Sequence, residues 1–177
     1  MTDWSNPLGK LKLKLPPEHG RFAAVRKYDT HAGIDLYAPH GTEVYTVEQG
    51  TVVAIEYFTG PSVGMPWWND TRVILVEGKS GVVVYGEIQE HEWIKVGMKL
   101  SASQRIGTVL TVLKKDKDLP MSMLHLELHR HFELSHVWHS WELNETKPEY
   151  LLDPTDKLFP DELTNQQVVK LSTNKVQ

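Results

Sequence analysis

The chain has nine histidines and no cysteine, so a bound metal must sit on imidazoles and carboxylates. Disulfides and thiolate nucleophiles are excluded. Zinc held this way needs neutral imidazoles and a carboxylate, and a catalytic ion needs three protein ligands with a fourth position open. The candidates are His31, Asp35 and His125. His31 and Asp35 end the run His31-Ala32-Gly33-Ile34-Asp35, about 13 Å apart if extended, too far to share an ion. The chain must bend there, and Gly33 permits a bend. A helix would also join positions i and i+4, but Leu36-Tyr37-Ala38-Pro39 leaves it no room to continue. Taken alone, the H-x-x-x-D spacing fits a surface or capping pair as well as a metal site.

His125 lies in a strictly alternating stretch. Leu124, Leu126 and Leu128 interleave with His125, Glu127 and His129, which predicts a strand with leucines on the core face and the polar residues opposite. The rival is a helix binding zinc through His125 and His129, as in H-E-x-x-H. It fails because Leu126 replaces the glutamate and the leucines keep period two. On the strand, Glu127 either orients a ligating histidine from behind or faces solvent. His129, about 13 Å beyond His125, is expected to line a groove wall rather than reach the same ion. Five histidines fall between His125 and His139, and such a cluster invites a metal reading. For His131, His136 and His139 the plainer reading is solvated or packed loop histidines, and the same holds for His19, His40 and His91.

The elements that must position these residues are strands. From Thr42 to Val112 the sequence is a series of β-branched runs cut by glycine: EVYTV, TVVAIEYF, TRVILVEG, GVVVYGEI and KLSASQRIGTVLTVL. This predicts an all-β, antiparallel domain. The length of 177 residues suits one domain, expected over about 21–158, with an N-terminal extension over 1–20 and a tail over 159–177. Phe58 to Asp70, rich in Gly and Pro, reads as an irregular loop carrying Trp67 and Trp68. With Trp138 and Trp141 these either cover a groove and stack on sugar rings or join the core. Lys114-Lys115-Asp116-Lys117-Asp118 reads as an exposed turn. Nineteen basic against 23 acidic residues give a formal charge of −4, which argues against nucleic acid or an anionic membrane as partner. No signal-peptide core or spanning apolar run is present, so a cytoplasmic or phage- and lysis-associated protein is expected.

The run HAGIDLYAPHGTEVYTVEQGTVVAI, then GVVVYGEI, IKVGMKLSASQRIGTV, MLHLEL and LLDP resembles, in that order, the LytM/lysostaphin-like zinc metallopeptidases that cut peptidoglycan cross-bridges. The resemblance spans about Phe22 to Leu158. It implies the family's antiparallel sheet with a groove, a sandwich of the duplicated hybrid motif type, and Zn²⁺ on His31, Asp35 and His125. Two departures stand out. Met123 replaces the first histidine of the family's H-x-H, and Glu87 in Tyr85-Gly86-Glu87-Ile88 replaces the histidine of Y-x-H-L, so both helper histidines are missing. KKDKDLPMS also replaces the usual glycine-rich turn.

Glu87 then has two readings. It accepts a proton from the water that such an ion activates, as the glutamate of H-E-x-x-H does, or it closes the site as a fourth ligand. Met123 cannot stabilise an oxyanion. Tyr85, Glu127 and His129 are expected behind the ligands or along the groove. The leading function is a zinc metalloendopeptidase acting on peptidoglycan or short peptides, with Glu87 as the catalytic base. The alternatives are a non-catalytic zinc-binding module that recognises a peptide, glycan or protein partner, and a purely structural zinc.

Overall fold

The structure is a computed structural model that describes residues 4–162. Nine strands form one antiparallel sheet: β1 (Ile34–Tyr37), β2 (Glu43–Tyr45), β3 (Gly50–Thr59), β4 (Thr71–Gly78), β5 (Gly81–Glu90), β6 (Lys99–Leu100), β7 (Arg105–Val109), β8 (Met123–His129) and β9 (Leu151–Leu152). The main path runs β1-β8-β5-β4-β3-β6, with β7 joining β2 to β5 and β9 on β8. The chain has the expected all-β architecture. A short helix, α1 (Thr155–Leu158), follows the last strand. No helix among the described residues is long and apolar enough to cross a membrane.

The sequence run from Lys99 to Leu113 divides into β6 and β7. Ser103 takes a left-handed φ of 58°, and the Ser101 amide donates to Gln104 Oε1 at 3.0 Å. This local bond and the left-handed residue make a turn between the two strands.

The two faces of the sheet have different contents. Ile74, Val83, Tyr85, Leu124, Leu126 and Leu128 share the main core with Ile34 and Leu36 of β1. The opposite face holds a smaller cluster, Ala54, Val73, Leu75, Val82, Val84 and Val137. All seven residues of β8 are buried, so its polar side chains are as hidden as its leucines.

The N-terminal segment expected as an extension covers this core. Leu8 is 4% exposed within it, the Ser5 amide donates to the Val47 carbonyl, and Tyr45 bonds back to Pro7. At the other end Phe159 packs into the same core, and residues 163–177 of the expected tail lie outside the described residues.

Candidate metal centre

Strands β1 and β8 pair with Asp35 directly opposite His125, which puts both side chains on one face within reach of each other. His31 precedes β1, and the chain bends at Gly33. That glycine is required for space rather than for a left-handed backbone, since a Cβ there would lie 2.5 Å from the Leu126 carbonyl oxygen and 2.9 Å from His125 Cε1. His31 Nε2 lies 3.2 Å from Asp35 Oδ1 and 3.2 Å from His125 Nδ1, and His125 Nδ1 lies 3.0 Å from Asp35 Oδ1. All three residues are buried.

The outer hydrogen bonds of the two rings decide what these inner atoms can do. His31 Nδ1 is 2.9 Å from the Arg21 carbonyl oxygen, and His125 Nε2 is 2.8 Å from Glu127 Oε1. Both partners are acceptors, so the outer nitrogens carry the protons and the inner nitrogens of the neutral rings present lone pairs. Two lone pairs and a carboxylate oxygen then converge, an arrangement that needs a cation in their midst. Ligands on a tetrahedral ion with bonds of about 2.05 Å stand about 3.3 Å apart, close to the spacing found. The residues therefore fit a dication. Without one a proton takes its place. Burial favours neutral His125, but the bonds to Asp35 and Glu127 outweigh it and push the ring well above its ordinary value. Burial likewise opposes charge on Asp35, and the bonds from His125 and His31 override it, holding the carboxyl far below the usual range.

Glu127 does not face solvent. Its second oxygen accepts from His129 Nε2 at 2.6 Å, and the two imidazoles, against the effect of burial, pull its carboxyl down to about 2. Of the two places expected for it, His129 takes the one behind the ligands and not the groove wall: it is 1% exposed and sits edge-on to Tyr150, ring centroids 5.0 Å apart. Tyr150 arrives from beyond the next loop and closes the place where a groove wall was expected. Tyr85 departs from expectation. It pairs with Leu126, which puts it in the core on the face away from the metal ligands, where its hydroxyl oxygen accepts from the Val47 amide at 2.9 Å.

Glu87 reaches the site through a β-bulge. Val73 pairs with Gly86 and Arg72 with Ile88, which leaves Glu87 as the extra residue at a left-handed φ of 64°. Regular alternation from Tyr85 would send Glu87 into the core. The bulge turns it to the face of His125 instead, at the cost of a conformation that side chains other than glycine rarely adopt. The residue is half-buried, with Oε2 shut off from solvent and without a hydrogen-bond partner. Burial first, and the Asp35 charge second, push its carboxyl up to about 8. Among the described residues, the buried group whose ligand atoms lie within 4.8 Å of one another is His31, Asp35 and His125. Glu87 stands outside that group.

Two cavities meet at this point, both bordered by Arg26, Asp35, Trp68 and Glu87. One, of about 210 Å³, lies over His31 and His125 between Phe58, Trp138 and Trp141. The other, of about 520 Å³, is walled by Tyr37, Val112, Leu119 and Met123. The 58–70 loop and the segment after β8 thus both contribute to the groove, although Trp141 is 8% exposed and Trp67, 62% exposed, lines neither cavity. Arg26 is the residue that sequence reasoning missed. Its guanidinium donates to Asp35 Oδ2 at 2.8 Å and to the His19 carbonyl. It stands at the tip of the turn between Ala23 and His31, and no spacing signal in RKYDTH points to it.

An antiparallel sheet carrying a buried His/Asp/His group beside an open groove has the build of a metallopeptidase. Residues 29–137 match the model of peptidase family M23, and the chain belongs to that family. It is similar in fold to CbpA from L. salivarius REN, with a TM-score of 0.59, 18% identity, and coverage of 91% of this chain and 100% of that one. It is similar also to a candidate M23 peptidase from Pseudomonas aeruginosa, with a TM-score of 0.51, 15% identity and 89% of this chain covered. The match spans 51% of the length of the Pseudomonas chain. No curated protein matches the sequence.

Proposed function

We propose that the chain is a zinc-dependent peptide-bond hydrolase acting on peptidoglycan peptides or other short peptides. The observation that carries this reading is the convergence of His31 Nε2, Asp35 Oδ1 and His125 Nδ1, at 3.0 to 3.2 Å, with a carboxylate aimed by a bulge at the open side. A zinc ion held there supplies Lewis acidity, polarising a carbonyl and easing deprotonation of water at neutral pH. Glu87 takes the proton and passes it to the leaving amine. Positive charge on the ligand set offsets the Asp35 repulsion and brings the Glu87 carboxyl down toward neutrality, where a general base works best. Arg26, bordering both cavities, donates to the oxyanion that neither Met123 nor a missing helper histidine can serve. Glu127 fixes the tautomer of His125 from behind.

One observation favours a second reading, a zinc-binding module without catalysis: Met123 leaves the first helper position without a donor or a proton-carrying group. Purified peptidoglycan and short synthetic peptides separate the two. The hydrolase releases zinc-dependent fragments, and His125→Ala abolishes both tight zinc binding and release. Undiminished zinc in His125→Ala sinks the metal assignment, and zinc retention without release across such substrates leaves the binding module.

A further inference from the structure

His131, Glu133 and His136 form a second group of metal-ligating type, on the loop after β8, and peptide hydrolysis makes no use of them. Their ligand atoms lie within 4.8 Å of one another, with His136 Nε2 3.4 Å from Glu133 Oε2. Three donors from six consecutive residues need little chain closure, and two of them are already held. Ser135 Oγ donates to Glu133 Oε1 at 2.9 Å, the His136 amide closes a turn on the Glu133 carbonyl at 3.1 Å, and the His136 ring lies flat on Tyr150 with centroids 3.6 Å apart. His136 Nδ1 is shut off from solvent and has no hydrogen-bond partner. The nitrogen turned to the Glu133 carboxylate is Nε2, so that is the atom the ring offers to an ion. His131 and Glu133 are exposed, which gives an ion an entry path.

We propose that His131, Glu133 and His136 bind a second transition-metal dication, and that this ion clamps one wall of the groove. Two imidazoles and a carboxylate select zinc, nickel or copper over magnesium or calcium. The clamp follows from connectivity. The 3₁₀ turn Leu134–Trp138 carries His136 on one side and sends Val137 and Trp138 into the cavity lining. Trp138 Nε1 donates to the Tyr57 carbonyl at 3.2 Å, so fixing the turn fixes the span between the two walls. The His136 ring also stands edge-on to His129, 6.1 Å away, which places the second group directly behind the layer that orients His125.

Metal stoichiometry reads the second site independently of hydrolysis. Metal-free full-length protein is titrated with Zn²⁺ against a chromophoric chelator. Two equivalents are expected, the weaker lost in His131→Ala and the tighter lost in His125→Ala. His131 is exposed, so its replacement keeps the fold. If the buried site failed to take zinc, His131→Ala would still lower the total by one, so the two readings fail separately. On the His125→Ala background, saturating Zn²⁺ should slow protease cleavage between residues 131 and 139 several-fold, and His131→Ala should remove that protection. A total unchanged by both His131→Ala and Glu133→Gln overturns the proposal. So does uptake of a second equivalent that gives no protection of the loop, for the clamp.

Discussion

Glu127 on β8 and Glu87 on β5 stand on paired strands beside the same imidazole, His125, yet their surroundings differ in kind. Glu127 accepts from His125 on one side and His129 on the other and is drawn down to about 2. Glu87 has an oxygen with no partner and is pushed up to about 8. The first belongs to a closed network in which each donor meets an acceptor, and its charge is fixed across the physiological range. The second is held out by a strained bulge, and its charge is free to change. Environments that push two carboxylates apart in this way separate a positioning role from a proton-transfer role.

Neutralising each carboxylate in turn separates the two roles. Glu87→Gln is expected to keep fold and zinc while turnover falls by about 10²-fold or more, the range for removing a general base. Zinc content and kcat measured on one preparation check this. An unchanged rate would make Glu87 a bystander, and lost zinc would make it a ligand. Glu127→Gln should do the reverse. An amide accepts from one histidine but confronts the other with an N–H, so the His125 tautomer is no longer fixed. Zinc affinity is then expected to fall by about 10- to 100-fold, the usual cost of losing a carboxylate behind a metal-bound histidine, with kcat at saturating zinc changed much less. Equal affinities for the two proteins by chelator competition would show that Glu127 orients nothing.

The two residues also differ in how far the sequence revealed them. The alternation of Leu124, Leu126 and Leu128 with His125, Glu127 and His129 was legible because the two faces of β8 differ in polarity, and a period of two then assigns every side chain. Glu87 could not be placed that way. Counting from Tyr85 sends it into the core, and the bulge that reverses this is invisible because glutamate, not glycine, occupies the left-handed position. It came into view through the resemblance of YGEI to a family element. What lies over His129 was hidden for another reason: Tyr150 comes from 21 residues further along the chain, a tertiary fact that strand geometry does not contain. Arg26 and Leu8 were missed on the same ground. A turn folding back over Asp35, and an N-terminal segment laid across the core, leave no period to read.

The smallest expected effect concerns stability in the metal-free protein, and here the two carboxylates should pull in opposite directions. Glu127 is lowered from 4.5 to about 2, so the unfolded chain binds its proton more readily. The stabilisation is present above about pH 4.5 and is lost as pH falls toward 2. Glu87 is raised from 4.5 to about 8, so the folded chain keeps a proton that the unfolded chain releases. Its contribution is present below about pH 4.5 and is lost as pH rises toward 8. His125, also raised, adds a loss on the same alkaline side, so the wild-type slope alone assigns nothing. The difference between wild type and Glu87→Gln isolates the glutamate. Urea midpoints measured from about pH 3.5 to 8.5 without metal should fall more steeply above about pH 4.5 for wild type than for the variant, and the two curves should converge in slope below it. Zinc should flatten the wild-type curve over the same interval, because a nearby dication favours the charged carboxylate and removes the reason to hold the proton. Parallel curves throughout would mean that Glu87 is solvated in the folded protein, and the contrast with Glu127 would then be one of hydrogen bonding alone.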